Sequence, residues 1–192
     1  MSDTIRSLPL RTLVPRDARA LRTWAPHLPS LFLSLVPAVV APLGLLALTH
    51  TSRFSHLARL SSWPIELAVI AVAGSLATVA GVLDWLYHRE LGVIVGRPER
   101  RAELLALGLG GVPLFGLMSA ATLSAEPRVF LVPVLAALVL TTVMVVYDEV
   151  AFHRRRCAPA EHLLHRTITL GHLAAFLAWV SWVFVRGVEV GS

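Results

Sequence analysis

Three segments of the chain repeat one spacing of ligand-type residues. They are DWLYHR at 84–89, EVAFHR at 149–154 and EHLLHR at 161–166. Each reads acid, three residues, His, Arg. Residues four apart lie on one face of a helix, one turn apart, so an acid and a His at that spacing can offer two donors to one ion. The candidate ligands are therefore Asp84, His88, Glu149, His153, Glu161 and His165. His172 extends the third pair, because Glu161, His165 and His172 fall within about 40° on one helical face. His172 lies about 10 Å deeper than His165 along that helix, and Asp84 lies one turn deeper than His88, so the two are expected at similar depth. Asp148 and His162 stand off these stripes as secondary candidates. No residue is assigned a catalytic role from sequence.

The elements that must carry these side chains are apolar. The chain has 192 residues, 56% of them hydrophobic and only 15% charged, against about 25% charged in soluble domains. A bilayer core takes about 20 apolar residues in a helix. Five runs qualify, at 31–49, 64–87, 104–123, 129–147 and 168–185. The expected fold is all-α: a polytopic integral membrane protein built as a five-helix transmembrane bundle. Residues 1–30 form an Arg-rich N-terminal segment, 31–186 the membrane domain and 187–192 a short tail.

All 17 basic residues are Arg. Counted from the N-terminal segment through successive loops to the tail, they fall five, two, four, one, four, one. Positive charge favours the cytoplasmic side. The alternation therefore places the N-terminus in the cytoplasm and the C-terminus outside, in a membrane expected to be a bacterial inner membrane. With this hydropathy the basic excess reads as orientation and not as nucleic-acid binding. All three acid–His pairs then meet at the cytoplasmic face. Arg89, Arg154 and Arg166 act there as membrane anchors, or contact an anionic headgroup. Trp63, Trp85, Tyr87 and Trp182 are expected as interfacial aromatics.

Two small residues, Ala77 and Gly81, share a helix face with Asp84 and His88. Small residues let helices approach closely in membranes, so Asp84 is expected to point into the bundle. GLGG at 108–111 reads as helix packing for the same reason. The turn CAP at 157–159 closes a hairpin that sets Glu149–His153 opposite Glu161–His165, with Asp84–His88 completing the site. Cys157 is the only cysteine, which excludes an intrachain disulfide.

Imidazole and carboxylate donors without thiolate suit zinc, iron or manganese. One zinc needs three or four protein ligands. The larger set here favours two ions, as in the carboxylate–His centres of helical bundles. The HLLH element at 162–165, its cytoplasmic siting and the number of His residues resemble the His clusters of membrane desaturases and hydroxylases. The adjacent HH pairs of that family are not present. The resemblance implies non-haem di-iron oxidation of a lipid-like substrate with dioxygen, and an electron-donor protein as partner. The residues also leave open a membrane zinc hydrolase, with Glu149 or Glu161 as general base, and a non-enzymatic haem- or metal-binding subunit of a membrane complex. A fourth reading is a salt-bridged polar cluster that only fixes helix packing.

Overall fold

The computed structural model describes residues 28–90, 97–153 and 158–187; for Arg89, Glu90 and His153 it describes the backbone alone. Residues 1–27 of the expected N-terminal segment, 188–192 of the expected tail, Arg154 and Cys157 lie outside the described residues, as do the side chains of Arg89 and His153; residues 28–30 already belong to the first helix.

Five helical rods follow one another. Helix α1 spans Leu28–Thr49 and α2 spans Ile65–Glu90, joined through short 3-10 turns at Ser55–Ala58 and Leu60–Ser62. Helix α3 runs from Arg97 to Leu123, with a π segment at Ala106–Gly111. Helix α4 is Leu131–Asp148, entered through a 3-10 turn at Pro127–Phe130 and continued by a π turn, Glu149–His153. Helix α5 is Pro159–Val180, continued by a second π turn, Ser181–Arg186. Pro occupies the first turn of α5, where its missing N–H costs no helical bond. No strand occurs among the described residues.

All five rods are long and apolar enough to cross a membrane. Their outward faces carry large apolar side chains, among them Phe32, Val132, Val143 and Leu170, each at least 60% exposed. So much exposed apolar surface is foreign to soluble monomers and fits a bilayer environment. Two rods outrun their sequence-based boundaries on the polar side. Helix α3 begins at Arg97 instead of 104, and α5 at Pro159 instead of 168. Charged residues can continue a helix into the interfacial region, where water and headgroups solvate them.

The central pair is α2 and α5, which run antiparallel. Gly171 marks their closest approach. A Cβ there would lie 2.8 Å from the Ala73 carbonyl oxygen and 2.9 Å from the Ala77 Cβ. Ala77 is 1% exposed. Gly81, expected to share this role, has no neighbour within 4 Å of an added Cβ. Helices α3 and α4 meet in the same manner at Gly110, where a Cβ would come 2.9 Å from Thr141 Oγ1. The GLGG element thus packs helices, through one of its glycines.

The apolar core gathers at one end of the bundle. Phe54 and Leu57 of the α1–α2 connection pack there with Leu67, Ala121, Val134, Trp179, Trp182 and Val183. Trp179 donates its indole N–H to Thr122 Oγ1 at 2.9 Å, so its polar edge is satisfied inside the core. Trp182, expected at the interface, is instead a core residue whose ring meets Phe54 edge-on. Beneath it Glu66, 5% exposed, accepts Arg186 Nε at 2.9 Å and the Ser181 hydroxyl at 3.1 Å.

If the Gly171 contact sets the α2–α5 distance, Gly171→Ala should lower stability by about 1–3 kcal/mol, the usual cost of overpacking. Thermal unfolding in detergent should show a clear fall in midpoint. Gly81→Ala should leave the midpoint unchanged or slightly higher.

Candidate metal centre

At the end opposite the apolar core, α2 and α5 each carry an acid followed four residues later by a His. Antiparallel packing turns that shared spacing into two rungs across the interface. Asp84 of α2 lies level with His165 of α5, Asp84 Oδ1 to His165 Nε2 at 3.3 Å. His88 of α2 lies level with Glu161 of α5, Nε2 to Oε1 at 2.9 Å. The acid of each helix thus meets the His of the other. The rungs are joined along α2, where Asp84 Oδ2 is 3.6 Å from His88 Nδ1.

Backbone and neighbours fix the orientation of each group. His88 Nδ1 lies 2.9 Å from the Asp84 carbonyl oxygen. A carbonyl only accepts, so Nδ1 carries the hydrogen and Nε2 is the nitrogen directed at Glu161. Glu161 divides its two oxygens. Oε1 faces His88, and Oε2 accepts the Ala158 backbone N–H at 3.2 Å, capping the first turn of α5. A carboxylate there is also favoured by the helix dipole. Glu149 opens the π turn that ends α4, and its Oε2 lies 3.0 Å from His165 Nδ1. π turns recur at functional sites, and this one presents Glu149 to His165.

The result is one continuous series: Glu161, His88, Asp84, His165, Glu149. Side-chain exposure is only 9–18% for the first four and reaches 40% at Glu149. Asp84, His88 and Glu161 can bring one donor atom each within 4.8 Å of one another. Without an ion, each imidazole bridges two oxygen groups, His88 the Asp84 carbonyl and Glu161, His165 the carboxylates of Asp84 and Glu149. An ion would be held through the His Nε2 atoms, with Nδ1–H bonds to the Asp84 carbonyl and to Glu149 fixing the tautomers. Carboxylate or carbonyl partners of this kind commonly orient metal-bound His.

Five of the sequence-derived candidates are therefore brought together: Asp84, His88, Glu149, Glu161 and His165. The side chain of His153 lies outside the described residues. His172 stands apart: it is exposed, bonds back to the Ile168 carbonyl and makes no ion pair among the described residues. The expected match in depth with Asp84 does not occur. At the level of residue 172, α2 presents Ala73 and Ala77, and the level of Asp84 is taken by His165. His162 makes no ion pair among the described residues, so only one His of the HLLH element joins the series. Arg166 is exposed. Asp148 is partly buried beside the site.

One participant was missed. Glu103 of α3 bonds to Ser30 of α1 and lies within electrostatic reach of His88, Asp84 and Asp148. The sequence held a signal for it. Glu99 and Glu103 are four apart at the head of the third apolar run, but a boundary drawn at 104 left both in a loop.

No protein-family model, curated protein or solved structure matches this chain. The arrangement of these residues is what its function must be argued from.

Asp84 serves both imidazoles, so Asp84→Asn should unsettle both rungs. Breaking a buried ion pair from one side costs on the order of 3 kcal/mol. The unfolding midpoint should fall well below that of His172→Ala, which touches no partner of this kind.

Proposed function

We propose that the chain is an integral membrane metalloprotein that holds its ions at the cytoplasmic face through Asp84, His88, Glu161 and His165. The chemistry we propose is non-haem di-iron oxidation, hydroxylation or desaturation, of a lipid-like substrate. The observation that carries the reading is the place of Asp84, which shares a three-donor group with His88 and Glu161 and also lies 3.3 Å from His165 Nε2. A carboxylate between two imidazoles suits a bridge between two ions. Bundles that bind paired iron or manganese use helix-borne carboxylates and His in this way.

The donor chemistry supports a hard or borderline ion. Around the site stand the carboxylates of Asp84, Glu103, Glu149 and Glu161, against the imidazoles of His88 and His165. Even with both imidazoles protonated, the acids outnumber the cations among these groups. Buried charge of one sign is costly, and a divalent cation is the direct remedy. Bound iron would supply dioxygen activation. In hydroxylation, one oxygen atom enters a substrate C–H bond and the other leaves as water. That balance consumes two electrons and two protons, which calls for an electron-donor protein. Glu149, the most exposed member of the series, orients His165 from the water side. The apolar rods and the Arg distribution support a bilayer setting with the site on the cytoplasmic side of a bacterial inner membrane, and a bilayer substrate follows from that setting.

One observation favours a second reading. Asp84, His88 and Glu161 alone form a three-ligand group. Three protein ligands with one open position are the pattern of catalytic zinc, and a zinc-bound water would serve hydrolysis. A haem-binding subunit has less support, because both His88 and His165 are directed at carboxylates and His172 stands apart.

Elemental analysis of the detergent-purified protein, after reconstitution in reducing buffer, separates these readings. The di-iron reading expects about two iron per chain, lost in His88→Ala and His165→Ala and kept in His56→Ala. About one zinc, lost in the same variants, would move the assignment to a hydrolase. Equal metal content in all four proteins would refute the site.

A further inference from the structure

A second cluster of charge lies at the other end of the bundle, far from the acid–His series. The connection between α3 and α4 and the end of α5 line an open surface cavity of about 470 Å³. That volume lies within the roughly 300–1,000 Å³ range of small-molecule sites. Its polar lining comes from Glu126, Arg128 and Arg186, and its apolar lining includes Val129, Val183 and Phe184.

The two arginines are held differently. Arg186 is anchored through Nε to Glu66, which is buried and whose second oxygen has no hydrogen-bond partner among the described residues. A guanidinium carries five N–H donors, so this anchor uses one edge and leaves the terminal nitrogens for another acceptor. Arg128 and Glu126 are exposed, and neither forms an ion pair among the described residues. A third arginine braces the rim. Arg53 donates from Nη1 to the Ser124 carbonyl at 2.9 Å, immediately before the cavity-lining Ala125. Counting Arg53 at the rim, three arginines stand against Glu66 and Glu126 around the cavity.

We propose that this cavity binds a phosphate-bearing anion, with Arg128 and Arg186 as its two arms. Arginine pairs recognise phosphate oxygens through directed, charge-assisted hydrogen bonds. The apolar wall formed by Val129, Val183 and Phe184 beside the two arginines fits the headgroup of an anionic phospholipid, its phosphate on the arginines and its first methylenes on the wall. Glu126 suits the hydroxyl groups of a glycerol headgroup, which are donors. The site is independent of the metal reading, since it shares no residue with the acid–His series.

The test is thermal unfolding of the full chain, followed by tryptophan fluorescence, in zwitterionic detergent at fixed ionic strength. Phosphatidylglycerol, phosphatidylcholine and inorganic phosphate are added separately. Phosphatidylglycerol should raise the midpoint in a saturable manner, with half-saturation moved at least about tenfold higher in Arg128→Gln, the loss of one charge-assisted contact. Arg59→Gln removes the same charge from the exposed α1–α2 connection and should behave as wild type. Arg128 is used because removing Arg186 would strand the buried Glu66. Protection by inorganic phosphate that also depends on Arg128 would identify the ligand as free phosphate. Protection that falls equally in Arg128→Gln and Arg59→Gln, or no protection by either phosphate source, would overturn the proposal.

Discussion

The contact at Gly171 is the constraint on which the rest of the arrangement depends. Here α2 and α5 approach until a single added carbon would strike the Ala73 carbonyl. Without a hydrophobic force between helices in a membrane, small residues and close packing do the work of association. Asp84 and His165 lie about two turns from this contact, on the same two helices. Their 3.3 Å separation is therefore inherited from the backbone approach above them. A wider pair of helices would leave each acid and each His without its opposite number.

The bundle is divided by polarity along its axis. One end is sealed by Trp179, Trp182, Phe54 and Val183, and the other holds the acid–His series. The two ends also differ in how charge is satisfied. Glu66 meets an arginine and a hydroxyl, both on Oε1, while its Oε2 has no hydrogen-bond partner among the described residues. In the acid–His series the carboxylates meet imidazoles, and imidazole is a common metal ligand. This contrast gives the series its interest as a metal centre and marks Glu66 as a structural anchor.

Much of this was legible in the sequence. The five apolar runs correspond to the five long helices, because a run of about 20 apolar residues has few other fates. The acid–x–x–x–His spacing drew attention to Asp84, His88, Glu161 and His165, and the fold brings these four together. What the spacing does not contain is how the pairs combine. The strong contacts run between helices, and that follows from antiparallel packing, a tertiary fact. His172 shows the converse limit. It shares a helical face with His165, yet next to it, at Gly171, the opposite helix presents Ala73 and Ala77. Glu103 escaped because charged residues at the head of an apolar run read as loop, whereas the helix extends through them from Arg97.

The central claim is that Asp84 stands between two imidazole-bearing metal positions. X-ray absorption at the metal edge of the loaded protein tests it most directly. The account predicts a shell of nitrogen and oxygen donors without sulfur, outer-shell scattering from imidazole, and a second metal at roughly 3.5–4 Å, the spacing of two-metal sites. A shell of oxygen donors alone, with neither imidazole nor metal scattering, would contradict it and leave the series as an ion-paired lock between α2 and α5.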